Sequence, residues 1–207
     1  LILHFTGKEY VLGIDLAGEM QKRAYRIFTH HASFTGDLGY ALVRKSGFQS
    51  GDRLLVGWVK DGTLAIEAAL FANQLTVHKG PFACEKFPMF QGIAFPKEAL
   101  LTTNNLQLTQ VLPTHLPSAN PIFAFDVSMQ NITAARKNAK LAGVYELIDF
   151  QKYSLEELDV KYGEAAFDRI IFHLTVKDEP KINELYYQMK YVLKPQGTVL
   201  LVTRKQL

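Results

Sequence analysis

The sequence predicts an α/β protein built on a doubly wound parallel sheet. Five short apolar segments have the composition of β-strands, and they alternate with segments in which apolar residues recur at helical spacing. The 207 residues are enough for one large domain of this class with a full core, and few for two. A hydrophobic content of 48% and a charged content of 21% are ordinary for a globular domain.

The first 33 residues precede this alternation and are predicted to form a separate unit. Residues 2–5 and 10–14 are β-rich and flank a turn at 6–9, which indicates a β-hairpin. A short linker follows. We therefore divide the chain into an N-terminal hairpin and linker, residues 1–33, and a sheet domain, residues 34–207. The start has neither Met nor a basic segment before an apolar run, which indicates a cut or processed end rather than a signal peptide.

The elements of the sheet domain follow from the periodicity and from the residues at their ends. Strands are predicted over residues 53–59, 122–127, 147–151, 167–174 and 198–203. Helices are predicted over residues 34–46, 63–73, 97–110 and 128–142, and from Asp178 or Glu179 onward. Ser128 suits an N-cap, Gly47 and Gly143 suit the position after a helix, and residues 194–197 suit a turn.

Composition excludes several classes of protein. The single cysteine, Cys84, excludes an intrachain disulfide framework and a cysteine-cluster metal site, and it favours a reducing, cytoplasmic location. The adjacent His30 and His31 have no third ligand at a suitable spacing, so no metal site is predicted. The sequence contains no run of eighteen apolar residues, so no membrane span is predicted. The net charge of +3 permits nucleic-acid contact without requiring it.

The candidate site lies where the first two strands of the sheet end. Ligands of doubly wound sheets bind beyond the carboxyl ends of the strands, where strand order reverses. This rule brings the loop at residues 56–63 and Asp126, at the end of the second strand, into one site. A carboxylate at that strand end can accept hydrogen bonds from both hydroxyls of a ribose. The sequence therefore predicts a site for a nucleotide-type cofactor.

Four segments, in order, resemble the motifs of one family. They are Asp15–Arg26, Gly62–Leu70, Asp126 with Ala135–Val144, and Leu193–Gly197. On these residues the chain resembles, over nearly its whole length, the catalytic domain of RNA guanine-N2 methyltransferases that carry an upstream THUMP domain. The resemblance implies a Rossmann-like class I methyltransferase sheet of strand order 3-2-1-4-5. It also implies S-adenosylmethionine as cofactor and structured RNA, tRNA or rRNA, as partner.

The resemblance also implies roles for individual residues. Four are expected to bind the cofactor: Asp126, Gly62, Thr63 and Ser154. Four more are expected to contact RNA phosphates and a base: Lys22, Arg23, Tyr25 and Arg26. The alternative for this second set is a linker whose charges are solvated or pair with Asp15 and Glu19. His173 occupies the position of the catalytic motif, and no catalytic residue is assigned.

The chain departs from the family where the chemistry takes place. The family's cofactor loop, D-P-x-C-G-S-G-T, is here Val56–Thr63, so Val56 replaces the acid that holds the cofactor ammonium. Lys60 replaces a glycine that lets the backbone approach the ligand. The family's N-P-P-Y is here His173–Val176. These departures predict degenerate motifs and doubtful activity, with Lys60 filling the pocket and pairing with Asp61, or else pairing with the carboxylate of a ligand.

Three hypotheses about function remain open from the sequence. The chain is an RNA guanine-N2 methyltransferase-like domain of doubtful activity, or a non-catalytic pseudo-methyltransferase that binds RNA or scaffolds a partner. The third hypothesis is an enzyme that uses Lys60 and Asp61 on another ligand. Family sheets add a terminal hairpin after the fifth strand, and the sequence ends before such a hairpin. An apolar edge at residues 199–202 therefore predicts either that the chain is a fragment or that a second copy or a partner subunit covers the last strand.

Overall fold

A computed structural model describes residues 1–16, 18, 22–75, 83–90, 122–174 and 179–203. Its strands are β1 (Ile2–Phe5), β2 (Tyr10–Gly13), β3 (Leu54–Gly57), β4 (Ile122–Asp126), β5 (Ile148–Lys152), β6 (Phe167–Leu174) and β7 (Leu193–Thr203). Its α-helices are α1 (Gly36–Lys45), α2 (Thr63–Ala72), α3 (Met129–Ala142), α4 (Leu158–Lys161) and α5 (Glu179–Val192). The predicted helix over residues 97–110, Glu19 and Asp178 lie outside the described residues.

Strands β3 to β7 form one parallel sheet of order β5-β4-β3-β6-β7. This order is 3-2-1-4-5 in the numbering of the predicted strands, so the predicted doubly wound fold is confirmed. The central strand β3 is buried along its whole length because β4 and β6 pair with its two edges and helices cover both faces. The strand order reverses between β4 and β6, which places the candidate site at the carboxyl end of β3.

Side chains alternate along the strands and supply two cores. On one face, strand residues such as Val56 and Ala124 pack against α1, α2 and α3. On the other face, Phe125 and Phe172 pack against residues of α4 and α5, among them Leu158 and Leu185. A parallel sheet covered on both faces in this way needs strands that are apolar at successive positions, and β3 and residues 170–172 of β6 meet this requirement.

Helices α2 and α3 pack closely beside the site. All of α2 from Thr63 to Leu70 is buried, as its nearly uniform apolar sequence predicts. Gly62 precedes it with φ 87°, and a Cβ there would lie 2.9 Å from the Cβ of Ala135 on α3. Gly62 is therefore required by both backbone conformation and helix packing.

The predicted caps of α3 are confirmed, since Ser128 Oγ accepts from the Asn131 N–H and Gly143 follows with φ 74°.

The sequence predicts that residues 194–197 form a turn before the last strand. They lie within β7 instead, so this prediction is wrong. Phe167 on β6 pairs with Leu193, whereas Arg169 pairs with Thr198, so residues 194–197 form a bulge between two paired stretches. Gln196 in this bulge has φ 70°. Strand β7 forms one edge of the described sheet. That a partner chain covers this edge stays a prediction.

Asp168 on β6 contacts β7 and the residue before β3. Its carboxylate accepts from the Lys194 ammonium at 2.8 Å and from the Arg53 N–H at 2.9 Å. Partial burial raises the pKa of the Asp168 carboxyl, but the hydrogen bonds from Lys194 and Arg53, with the charges of Lys194 and Arg169, outweigh it and lower the pKa. The carboxylate therefore stabilises the fold at neutral pH.

We expect Asp168→Asn to lower the free energy of unfolding at pH 7 and to have a smaller effect in acid. A lowered pKa in the folded state adds stability that is fully present above the unfolded pKa, about 3.9, and is lost as the pH falls through the folded value. Urea unfolding from pH 7 to pH 2.5 measures the difference, with the exposed Glu164→Gln as control. A difference that is constant over this range would contradict the account.

The predicted N-terminal hairpin is confirmed. Strands β1 and β2 pair antiparallel, with Leu3 opposite Leu12 and Phe5 opposite Tyr10. No helix among the described residues has the length and apolar character needed to cross a lipid bilayer.

Candidate functional site

The loop from β3 to α2 keeps a conformation that suits glycine at several positions. Trp58, Lys60 and Gly62 all have positive φ, of 52°, 53° and 87°. A left-handed conformation costs a non-glycine residue about 1–2 kcal/mol. The Val59 N–H donates to the Phe125 carbonyl, which ties the loop to the end of β4. The loop therefore has the backbone of a ligand-binding turn, but a lysine side chain projects from one of its left-handed positions.

Lys60 extends from this loop into the interior. Its side chain is enclosed, with the residue only 6% exposed, and Nζ lies 2.6 Å from Nδ1 of His173 at the end of β6. The His173 ring is buried and stacks on Phe34, with ring centroids 3.9 Å apart. An ammonium can only donate, so with Lys60 protonated the Nδ1 of His173 is the acceptor nitrogen of a neutral ring. Lys60 therefore bridges the ends of β3 and β6 at the point where strand order reverses.

Asp126 binds the same loop from the other side. Its Oδ2 accepts from the Lys60 N–H and from Asn131 Nδ2, each at 3.1 Å, and its Oδ1 accepts from the Ser128 N–H at 2.9 Å. The carboxylate is buried. The strand-end acid is thus positioned as the sequence predicts, but its oxygens hold the loop and the start of α3. A ribose at this position would have to displace or share these donors.

Asp61 is the second buried acid of the loop. Its Oδ2 pairs with Arg26 Nη2 at 3.1 Å, and its Oδ1 accepts from the Thr63 hydroxyl at 2.8 Å. The predicted pairing of Lys60 with Asp61 is therefore corrected. Arg26 reaches Asp61 from the linker, and the Lys60 ammonium lies at His173 instead.

The carboxylate of Glu67 on α2 contacts two of the residues predicted to bind RNA. Arg23 Nε lies 2.7 Å from its Oε1, and the Tyr25 hydroxyl donates to the same oxygen at 2.7 Å. Burial, followed by the charge of Glu67, raises the pKa of the Tyr25 hydroxyl. Of the four predicted residues, Lys22 is exposed, whereas Arg23, Tyr25 and Arg26 are turned toward Glu67 and Asp61. An RNA-binding role for this set stays a prediction.

The charges of the loop also act on His30 in the linker. Burial lowers the pKa of His30, and the charges of His31 and Lys60 lower it further, against the opposing carboxylates of Asp61 and Asp126. His30 therefore lies close to loop charges of both signs.

The remaining predicted cofactor residues have structural partners of their own. Ser154 follows β5 and forms a capping box with Glu157, in which the Ser154 N–H donates to Glu157 Oε2 at 2.7 Å. Gly62 and Thr63 begin α2 beside the loop. A cofactor-binding role for these three residues and for Asp126 remains a prediction.

Two residues of the site were missed at the level of sequence. The buried side chain of Asn138 donates to the Asp61 and Phe28 carbonyls and so fixes the loop against the linker. Its place in the segment Ala135–Val144, which carries the family resemblance, is a signal that could have identified it. Phe34 is the stacking partner of His173, and nothing in its sequence context indicates this contact.

Comparison with known proteins assigns the family. Residues 23–206 match the family UPF0020, described as an RMKL-like methyltransferase domain. The chain belongs to this RMKL-like methyltransferase domain family. A ribosomal RNA large subunit methyltransferase K/L from Photobacterium profundum is 32% identical over 163 residues, which are 78% of this chain and 22% of that protein. The chain therefore spans about a fifth of the length of this curated relative.

Solved structures support the fold of this family. TrmN from Thermus thermophilus is 21% identical with a TM-score of 0.56, and the match covers 87% of this chain and 42% of TrmN. A candidate methylase from Clostridium difficile 630 is 22% identical with a TM-score of 0.65, over 91% of this chain and 48% of that protein. SMU.472, a candidate methyltransferase solved with bound SAH, is 19% identical with a TM-score of 0.55, over 84% of this chain and 44% of that one.

Proposed function

We propose that this RMKL-like domain is a non-catalytic, pseudo-methyltransferase member of an RNA guanine-N2 methyltransferase lineage, in which Lys60 excludes S-adenosylmethionine. The relative named for ribosomal RNA supports RNA as the partner. The observation that carries the proposal is the Lys60 Nζ to His173 Nδ1 contact of 2.6 Å, which spans the cofactor end of the sheet. In this proposal the domain has kept the fold of its family and has lost the cofactor chemistry.

The chemistry of the cofactor disagrees with the residues that surround Lys60. S-adenosylmethionine would bring a sulfonium and an ammonium to the loop that holds the Lys60 ammonium, and like charges repel when buried, while the loop carboxylates already have other partners. Val56, fully buried at the end of β3, replaces the acid expected to bind the ammonium. The loss of such a charged partner costs on the order of 2–4 kcal/mol of affinity. The charge of Lys60 and the loss of the ammonium-binding acid therefore both disfavour the cofactor.

The strand end that would meet the target base is equally changed. Methylation of an exocyclic amine requires groups that position the nitrogen lone pair against the methyl donor. His173 instead lies buried between Lys60 and Phe34, and it is 1% exposed. In the proposed function the chain binds RNA or scaffolds a partner without transferring a methyl group. We place no step of methyl transfer on His173.

Replacing Lys60 by glycine is expected to create measurable affinity for S-adenosylhomocysteine. The change removes the buried ammonium and places a glycine at φ 53°, where a lysine is strained. Lys60→Arg is the matched control, because it keeps a cation in the pocket and is expected to remain without binding. Adding Val56→Asp to Lys60→Gly restores the missing acid and should raise affinity for the methyl donor by a further tenfold or more, roughly the gain of one charged partner.

Calorimetric titration of the variants measures these affinities, after thermal unfolding has shown that each variant is folded. If the Lys60→Gly and Lys60→Arg variants are both folded and neither binds the cofactor, Lys60 is not the residue that excludes it. A methyl-transfer assay on bulk tRNA and rRNA accompanies the titration. Transfer by the unaltered chain would contradict the proposal outright.

A further inference from the structure

We propose that single-stranded RNA binds in a groove between linker residues 27–30 and helix α3, with Phe28 stacking on a base and Lys137 and Lys140 contacting phosphates. This inference rests on RNA as the partner in the proposed function, and it adds the place and the form of RNA that the domain takes. The site differs from the predicted set of Lys22, Arg23, Tyr25 and Arg26.

The groove is formed by one strip of the linker and the outer face of α3. It encloses about 480 Å³ and is lined by residues that include Phe28, Thr29, Met129, Thr133 and Lys137. Its walls therefore combine an aromatic ring, a thioether, two hydroxyls and an ammonium. This combination suits a nucleobase, which offers flat apolar faces and a polar edge.

Phe28 is held at the rim of the groove by its main chain. The Phe28 N–H donates to Asn138 Oδ1 at 3.1 Å, and Asn138 Nδ2 donates to the Phe28 carbonyl at 2.9 Å. Asn138 is fully buried, whereas Phe28 is 39% exposed. A large aromatic side chain is thus presented to solvent by a buried polar clamp rather than packed into the core. Such a ring loses little conformational freedom when a base stacks on it.

The charged residues of helix α3 and of residues 27–35 are all basic. Helix α3 carries Arg136, Lys137 and Lys140 and has no acidic residue, and residues 27–35 have none either. The Lys137 ammonium lies 4.6 Å from the centre of the Phe28 ring, and the Lys140 ammonium lies 4.9 Å from that of Tyr145. Two lysine–aromatic pairs therefore follow each other along one side of α3. Alternating cations and rings match the alternation of phosphates and bases in a single strand.

Single-stranded RNA fits this surface better than a duplex. The bases of a duplex are stacked on each other and offer no free face to Phe28, whereas an unpaired base does. The proposal therefore commits to unpaired RNA and expects duplex RNA of the same length to bind more weakly.

The experiment measures fluorescence anisotropy of a labelled oligouridylate of about 12 nucleotides, a length within the usual range of single-strand sites. The full chain is titrated at several salt concentrations without cofactor. Phe28→Leu should weaken binding by at least about fivefold and Phe28→Trp should retain it, because stacking needs a ring. Lys137→Ala with Lys140→Ala should reduce the slope of log affinity against log salt by about 1.4.

Lys161→Ala is the matched control. Lys161 also lies over an aromatic ring, that of Tyr153 at 5.4 Å, but it neighbours Glu156, Glu157 and Asp159. Its loss should leave affinity unchanged. No binding by the unaltered chain, or equal losses for Lys161→Ala and the Lys137, Lys140 pair, would overturn the inference. The RNA titration is carried out without cofactor. If a separate titration detected binding of S-adenosylmethionine, it would contradict the proposed exclusion of the cofactor and leave this RNA result unaffected.

Discussion

Glu67→Ala is expected to lower the free energy of unfolding by about 3–5 kcal/mol, the range for removing one partner of a buried ion pair. Glu67 is 2% exposed and accepts from both the Arg23 guanidinium and the Tyr25 hydroxyl. Without it, a buried cation and a buried hydroxyl lose their shared acceptor. The linker between the hairpin and the sheet would lose one of its attachments to α2.

Urea and thermal unfolding measure this loss, and a fall in melting temperature of roughly 10 °C corresponds to it for a chain of this size. Glu67→Gln should give an intermediate loss, because the amide oxygen can still accept from Tyr25 but carries no charge. The exposed Glu146→Ala is the control for removing a carboxylate as such. Equal stability of Glu67→Ala and Glu146→Ala would show that the buried network contributes nothing.

Gly57→Ala is expected to destabilise the fold by about 1–3 kcal/mol or more, the usual result of overpacking a dense core. An added Cβ at Gly57 would lie 1.9 Å from Cε1 of Phe172 on the neighbouring strand β6. Phe172 is itself fully buried and packs edge-on against Trp58 and Phe125. Its ring therefore cannot move aside without disturbing both neighbours.

Gly163→Ala is the control for Gly57→Ala, since a Cβ there meets no atom within 4 Å. Adding Phe172→Leu to Gly57→Ala tests the mechanism, because the smaller side chain leaves room for the new methyl. The double variant should be more stable than the sum of the two single changes predicts, as contacting residues are not additive. Strict additivity in chemical unfolding would show that the two side chains do not meet.

Local patterns in the sequence predict most of this fold. The apolar runs of the five strands, the Ser128 and Gly143 caps and the uniformly apolar α2 depend on near neighbours, and the structure agrees with each. The turn at residues 194–197 fails as a prediction for a physical reason. A Lys-Pro-Gln-Gly segment has turn composition, but pairing with β6 on both sides incorporates it into β7 as a bulge.

The site is predicted in part. The positions of Asp126 and Lys60 follow from strand ends, which any doubly wound sheet brings together. The contacts of Lys60 with His173 and of Asp61 and Glu67 with the linker arginines do not follow, because these partners lie 35 to 113 positions away along the chain. Such contacts depend on how distant segments pack against each other, which the local spacing of residues does not indicate.

The exclusion of the cofactor is tested by titration calorimetry of S-adenosylmethionine and S-adenosylhomocysteine into the unaltered chain. We expect no saturable binding up to millimolar ligand, because in the proposed function the Lys60 ammonium excludes the cofactor and the buried Val56 replaces the acid expected to bind its ammonium. Micromolar binding of either compound would contradict it. The loop would then be a working variant of a methyltransferase site.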